Sequence, residues 1–198
     1  MSTRTIPLFP LQTVLFPEGR LPLRIFEPRY MDMAKICLKE GSPFGVCLIA
    51  SGSEVGKPAV PHPVGTLATI GDWDMPQLGV LQIVARGGER FRVLRRWAEA
   101  SGLLMGEIEM LAPEASMAIP QPFARLVPML RAVLDDMGGA APAPPRFFDA
   151  AWVGFRWCEV LPIPDAARQK LLELEDAESR LEIVYRFLDS KGLIPASG

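Results

Sequence analysis

The chain has 198 residues and a formal net charge of -2 at pH 7, with 49% hydrophobic and 22% charged residues. This composition is that of a globular protein with enough apolar residues for one substantial domain or two small ones. The charge balance gives no general attraction to nucleic acid or to an anionic membrane, so binding to either would need a local basic patch. No stretch approaches the roughly 18 apolar residues of a membrane helix, and the amino terminus lacks a signal-peptide pattern, so we expect a cytoplasmic protein.

The apolar run from Pro7 to Tyr30 contains five prolines and therefore cannot form one long helix. Each proline removes a backbone donor and clashes with the preceding turn. The run predicts two short strands, residues 4–9 and 21–25, joined by a proline-rich loop. A helix is predicted to begin at Glu27-Pro28, because proline fits the first helical turn and apolar residues follow at helical spacing.

Strand-like segments continue up to about residue 111. Strands are predicted at residues 44–50, 64–72, 78–86, 89–97 and 103–111. The dipeptide Gly87-Gly88 suits the positive backbone angles of a tight turn, which predicts a hairpin between the third and fourth of these strands. Several antiparallel strands in such a short length indicate a small barrel or folded sheet that carries one helix.

Beyond Pro113 the apolar residues recur at helical spacing, which predicts four helices up to about residue 190. Pro128 is expected to kink the first of them, and Asp165 and Asp176 are placed to cap the last two. The segment from Gly138 to Pro145, GGAAPAPP, predicts a flexible or extended connection. The pattern therefore indicates an α+β chain with a β-rich subdomain at residues 1–115 and a helical bundle subdomain at residues 118–198.

The opening stretch also resembles a known family, the amino-terminal or substrate-binding domain of Lon protease. The resemblance rests on VLFP, PL, IFE and RY, residues 14–17, 22–23, 25–27 and 29–30, and it continues through residues 64–70 and 79–93. It implies a PUA-like β fold followed by a helical bundle. Full-length Lon proteases carry an ATPase module and a Ser-Lys proteolytic domain after this region. The resemblance therefore implies the recognition part without the catalytic machinery.

No catalytic, cofactor or metal site is predicted from the residues themselves. Residues 52–58 have the wrong glycine spacing for a phosphate-binding loop. His62, the one histidine, lies between two prolines in a loop and is interpreted as a solvated side chain rather than a catalytic base. Cys37, Cys47 and Cys158 have no C-x-x-C spacing and apolar neighbours, so they are interpreted as reduced core residues.

A polypeptide-binding site is predicted at Trp73, Met75 and Leu78, in the turn-rich segment GDWDMPQLG. Large apolar groups exposed there would suit an unfolded chain, and methionine adapts its shape easily. Trp157 is a further candidate, because Trp152 and Trp157 are five residues apart and cannot face the same side of one helix. Core packing is the alternative for either tryptophan. The predicted partner is unfolded polypeptide or a partner protein, and the sequence does not choose between them.

RNA binding is the alternative function, because PUA-like folds include RNA binders. Its candidate residues are Arg86, Arg90, Arg92, Arg95 and Arg96. A turn near Ser101-Gly102 would bring Glu107 and Glu109 back opposite these arginines. Opposed carboxylates would cancel most of the field that a phosphate needs, so nucleic acid is the less favoured partner.

Overall fold

The computed structural model describes residues 3–138 and 144–194. The chain divides into two compact units, Met1–Pro113 and Glu114–Gly198. Within the described residues, the first unit is built from strands and one α-helix, whereas the second is built from helices. The change from alternating apolar residues to helical spacing along the sequence accounts for this difference.

The described part of the first unit contains a seven-stranded sheet. Its strands are β1 (Thr3–Leu11), β2 (Arg20–Ile25), β3 (Phe44–Ser51), β4 (Val60–Pro61), β5 (Val64–Gln77), β6 (Val80–Ala98) and β7 (Leu104–Met110). The two residues of β4 lie between the strands predicted at residues 44–50 and 64–72, where no strand was predicted, and they pair with β3. The predicted α+β class is confirmed.

The sheet closes into a small barrel. Hydrogen-bonded neighbours follow the order β1-β7-β6-β5-β3, and β3 then pairs in parallel with β1. Closure removes the free edges of these strands, and alternate side chains such as Phe91 and Ile108 fill the interior. The strand β2 stays outside this ring and pairs with the first part of β6, on the side of β6 opposite to β5.

The single α-helix of the first unit, α1 (Pro28–Glu40), begins where the sequence predicted. Glu27 is its amino-terminal cap residue, and the helix ends at Gly41. Its apolar face packs into a core cluster with Phe9, Phe44 and Ile83, which is separate from the cluster that fills the barrel. The ring of Tyr30 stacks on that of Phe9, with 4.1 Å between the ring centroids, so the proline-rich opening stretch ties α1 to β1.

The hairpin predicted at Gly87-Gly88 is wrong. The strand β6 runs through both glycines, and neither of them has a positive φ. The turn between β5 and β6 lies instead at Leu78-Gly79, where Gln77 pairs with Val80 and Gly79 has a φ of 83°. A positive φ at that position favours glycine, so the turn signal was the other glycine of this region.

The close approach of the loop between β1 and β2 explains the glycine at position 87. The Gly87 N–H donates to the Gly19 carbonyl and the Gly87 carbonyl accepts from the Glu18 N–H, each at 2.9 Å. A Cβ atom at position 87 would lie 2.2 Å from the Phe16 carbonyl oxygen. Glycine is therefore required here because another backbone lies against the strand, and not because the chain reverses.

The four predicted helices of the second unit are confirmed. They are α2 (Leu126–Asp136), α3 (Ala150–Val160), α4 (Asp165–Glu173) and α5 (Ala177–Ser190), preceded by a short 3-10 turn at Gln121–Phe123. Pro128 falls in the first turn of α2, where a backbone N–H has no helical partner in any case, so the reason for the predicted kink is absent. Most of the predicted connection at 138–145 lies outside the described residues.

The two predicted caps have different outcomes. Asp176 is the amino-terminal cap of α5, and its carboxylate accepts a hydrogen bond from the Ser179 N–H at 2.7 Å, as predicted. The prediction for Asp165 is wrong, because the cap residue of α4 is Pro164 and Asp165 is already helical. Asp165 instead pairs with Arg168 one turn further on, at 3.1 Å.

Candidate functional site

The turn between β5 and β6 presents three large apolar side chains to solvent. Trp73 is 60% exposed, Met75 40% and Leu78 94%. Leu78 lies in the two-residue turn, and the other two lie on the strand that leads into it. Side chains of this size contribute little to the core of the unit when they are this exposed, so the hairpin offers an apolar surface that the fold itself does not use.

This hairpin belongs to a three-stranded part of the sheet, called the arm below, made of β2, residues 80–86 of β6 and residues 71–77 of β5. Strand pairing sets three residues of each strand side by side. One pairing row is Pro22, Val84 and Asp72, the next is Leu23, Ile83 and Trp73, and the third is Arg24, Gln82 and Asp74. A groove of about 550 Å³ is lined by these nine residues.

A smaller cleft of about 210 Å³ adjoins the arm. It is lined by residues of β1 and β2, by the start of α1, and by Glu54 and Val55 from the loop after β3. Two exposed apolar side chains, Phe26 and Val55, line it. Pro22, Leu23 and Arg24 line both the groove and this cleft, so β2 lies between the two concavities.

Trp157 does not belong to this surface, which corrects the sequence interpretation. It is 3% exposed, and its indole N–H donates to the Leu126 carbonyl oxygen at 3.1 Å. Trp152, on the same helix, is 2% exposed. Both tryptophans are thus buried within the helical unit on different sides of α3, so neither faces solvent.

The helical unit carries an apolar groove that was not predicted from the sequence. The groove has a volume of about 550 Å³ and lies between α4 and α5, with Ile163, Leu174, Ile183 and Phe187 among its lining residues. The signal was available in α5, where Ile183 and Phe187 form a second apolar stripe beside the buried stripe that contains Val184.

The arginines of the alternative RNA site do not form an open basic patch. Arg86 pairs with Asp72 at 3.1 Å, and Arg95 pairs with Glu107 at 3.5 Å. Arg92 lies opposite Glu109 in the pairing of β6 with β7, and Arg90 is buried. Arg96 is exposed. The predicted return of the two glutamates opposite this strand is confirmed, and it lowers the local positive potential.

The structure gives the candidate catalytic and metal residues an ordinary setting. In residues 3–138 and 144–194, no group of three or more His, Cys, Asp or Glu side chains lies close enough to hold a metal ion. His62 is half-buried, and its backbone N–H donates to the Leu48 carbonyl oxygen at 2.8 Å. No helix in the described ranges is long and apolar enough to cross a membrane.

The fold defines the class of this chain: a small closed barrel with one α-helix, followed by helices, as in the amino-terminal domains of Lon proteases. The chain belongs to the family of the ATP-dependent protease La (LON) substrate-binding domain, whose model matches residues 5–190.

Three known proteins are similar to this chain in sequence or in fold. The Lon protease of Parabacteroides distasonis is 29% identical over 195 residues, which are 93% of this chain and 23% of that protein. The crystal structure of a Lon N-terminal domain protein from Xanthomonas campestris has a TM-score of 0.78 and 36% identity, and the match covers 93% of this chain and 98% of that one. The N-terminal domain of the Mycobacterium avium complex Lon protease has a TM-score of 0.61 at 16% identity, over 94% and 98% of the two chains, and shows the fold alone.

Proposed function

We propose that this chain is a non-catalytic module that binds unfolded polypeptide through Trp73, Met75 and Leu78. The observation that carries the proposal is the exposure of these three side chains at one hairpin. The family supports it, since its model describes a substrate-binding domain. The curated relative is named a Lon protease, so we further propose that binding serves proteolysis. The proposed location is the cytoplasm.

The chemistry of the surface sets the expected strength of binding. A well-buried apolar side chain contributes roughly 1.5 to 3 kcal/mol, and association entropy offsets much of the sum of a few such contacts. We expect micromolar affinity for many unfolded sequences. Binding of neutral apolar segments should depend little on salt, because burial of apolar surface does not involve net charge.

The test is a fluorescence anisotropy titration of a labelled, reduced and alkylated model protein. We expect the double variant Trp73→Ser/Met75→Ser to bind at least about tenfold more weakly than the wild type, which corresponds to 1.4 kcal/mol. Leu94→Ser is the matched control, since Leu94 is also exposed on the same sheet but lies away from the hairpin. Circular dichroism and thermal unfolding establish that both variants are folded.

Three outcomes would count against the proposal. Equal affinity of the double variant and the wild type would remove these residues as the site, and the variant Ile183→Ser then tests the helical groove. Binding to a specific folded partner, without binding to any unfolded chain, would make this chain an adaptor. Tight RNA binding that weakens steeply with salt and with Arg92→Gln would favour the alternative function.

A further inference from the structure

The small cleft beside β2 lies on the core side of the arm. Leu21 and Leu23 line it and also pack against the core cluster that contains the apolar face of α1. Strand alternation turns the side chain of Arg24 to the opposite face, where Asp72 and Asp74 lie. Arg24 therefore borders the cleft with its backbone, and the charges inside the cleft come from other residues.

Aromatic and aliphatic side chains form the walls of this cleft. Phe9 and Tyr30, whose rings stack, are its buried part, whereas Phe26 and Val55 are 58% and 55% exposed. Its volume of about 210 Å³ is below the roughly 300 to 1,000 Å³ of common small-molecule sites. The cleft therefore has room for one residue with a large apolar side chain rather than for a longer segment.

Tyr30 brings a hydroxyl group to this apolar cleft. The residue is 4% exposed, and its hydroxyl makes no hydrogen bond with residues 3–138 and 144–194. Burial raises the pKa of Tyr30, Arg29 lowers it, and the negative charges of Glu27 and Glu54 raise it further. The hydroxyl is thus protonated at neutral pH, and two carboxylates lie near enough to act on it. A polar group that is buried without a partner is costly, so a bound polar group would be favourable here.

The two carboxylates of the cleft differ in their partners. Glu27 pairs with Arg29 at 2.8 Å. Glu54 is half-buried and accepts a hydrogen bond from the Gln12 backbone N–H, but in the described ranges it forms no ion pair. A neutral donor leaves the charge of Glu54 without a counter-charge. The cleft thus combines apolar walls with one uncompensated negative charge, and its complement is an apolar group beside a cation.

We propose that this cleft binds the free amino-terminal residue of a polypeptide when that residue has a large apolar side chain, such as Leu or Phe. The α-ammonium group donates hydrogen bonds to the Glu54 carboxylate and to the Tyr30 hydroxyl oxygen, and the side chain packs against Phe26 and Val55. The inference goes beyond the proposed function, because it concerns another surface than the hairpin and a chain end rather than an internal segment.

The size of the cleft favours an amino terminus over a lysine side chain as the source of the cation. At an amino terminus the ammonium group and the side chain are attached to one Cα atom, so both fit in about 210 Å³. In an extended internal segment, neighbouring side chains point to opposite faces, and residues on the same face are about 7 Å apart. A lysine beside the apolar residue would therefore point away from Glu54, and a lysine two residues away would need a longer site.

The test uses short peptides that begin with Phe, carry a fluorescent label at the carboxyl end, and have either a free or an acetylated amino terminus. We expect the free peptide to bind the wild type at least about tenfold more tightly in fluorescence anisotropy, because hydrogen bonds to charged groups are the stronger ones. Replacing the first Phe by Ser should abolish binding. The preference should also decrease above about pH 8, where an α-amino group loses its proton.

Variants of the protein assign the contacts. Glu54→Gln keeps an acceptor for the Gln12 N–H and should lose the preference for the free amino terminus. Glu89→Gln is the matched control, since it removes an exposed carboxylate of the same unit outside the cleft. Phe26→Ser should weaken binding of the free peptide, and Tyr30→Phe should weaken it about twofold to fivefold. Circular dichroism establishes that each variant is folded.

Every other outcome overturns the inference. Equal binding of free and acetylated peptides would do so, as would a preference that persists in Glu54→Gln or the absence of binding by any peptide that begins with Phe. An acetylated peptide with an internal Phe-Lys pair that binds as tightly as the free peptide would assign the cleft to internal basic segments. The Trp73→Ser/Met75→Ser variant should bind the free peptide like the wild type, so failure of this inference leaves the proposed function in place. Loss of the free peptide in that variant would assign it to the hairpin instead.

Discussion

Glu114 and Arg180, which are 66 residues apart in the sequence, form a buried bidentate ion pair in the helical unit. The two N···O distances are 2.8 and 2.6 Å, and the side chains are 7% and 0% exposed, respectively. The same guanidinium donates to the carbonyl oxygens of Leu171 and Leu174 at the end of α4, and it lies 3.9 Å from the centroid of the Phe155 ring. One side chain therefore joins the start of the unit to α3, α4 and α5.

Replacing one partner of this pair should destabilise the protein strongly. Glu114→Gln keeps the shape of the side chain but leaves a buried guanidinium without its counter-charge, so we expect a loss of about 3 to 5 kcal/mol in the free energy of unfolding. The matched control is Glu182→Gln, which breaks an exposed pair with Arg186 on α5 and should cost less than about 1 kcal/mol. Urea unfolding of the three proteins measures both values. Similar losses in the two variants would contradict this account of the buried pair.

The two adjacent glycines of β6 should respond differently to alanine. A Cβ atom at position 87 would lie 2.2 Å from the Phe16 carbonyl oxygen, whereas at position 88 the nearest atom, the Leu67 carbonyl oxygen, is at 3.5 Å. We expect Gly87→Ala to lower stability by about 1 to 3 kcal/mol, as other overpacked sites do. Gly88→Ala should be neutral or slightly stabilising, because alanine reduces the freedom of the unfolded chain. If thermal unfolding ranks the two variants in the reverse order, the close approach of the Phe16 backbone does not explain the glycine at position 87.

The cap of α5 should give stability that depends on pH. Hydrogen bonds from the side chain and the backbone N–H of Ser179 lower the pKa of Asp176 from its ordinary value of 3.8. A lowered pKa in the folded state means that the contribution is complete above the unfolded value and is lost as the pH falls through the folded one. Asp176→Ala should therefore cost about 1 kcal/mol at pH 7, and this difference should shrink below pH 3.8.

A control for the cap lies at the other end of the same helix. Asp189→Ala removes a carboxylate near the carboxyl end of α5, where negative charge is unfavourable, so it should not destabilise the protein. Chemical unfolding of both variants between pH 7 and pH 3 distinguishes the two positions. A loss in Asp176→Ala that is independent of pH would show that the carboxylate charge is not what stabilises the helix.

The cysteines should be unreactive until the protein unfolds. Burial raises the pKa of Cys47 and of Cys158 to about 12, and it also raises the pKa of Cys37. The thiolate is the reactive form, so at pH 8 a thiol reagent such as Ellman's reagent should label the native protein very slowly. Complete labelling should follow addition of denaturant. Rapid labelling of one thiol in the native state, assigned by peptide mapping, would contradict the burial of that cysteine.

Local sequence patterns were enough for the class of fold. Alternation of apolar residues predicted the strands up to residue 111, and helical spacing predicted the four helices beyond Pro113. The start of α1 at Pro28 and the cap at Asp176 were also predicted, because each depends on a residue and its near neighbours in the chain. The candidate hairpin residues Trp73, Met75 and Leu78 were selected by composition and turn signals, and their assignment as a binding site stays a prediction.

Contacts between distant segments decided the rest. The backbone of Phe16 lies against position 87 and explains why a glycine is needed there. Trp157 is buried where its indole N–H meets a carbonyl oxygen on another helix, 31 residues earlier in the chain. The partners of Asp72 and the open position of Arg24 depend likewise on how β2, β5 and β6 are paired. The sequence by itself determined which segments are strands and helices, because those preferences act over a few residues. Only the tertiary structure decided which side chains face solvent and which groups meet, because close packing brings together residues that local patterns cannot relate.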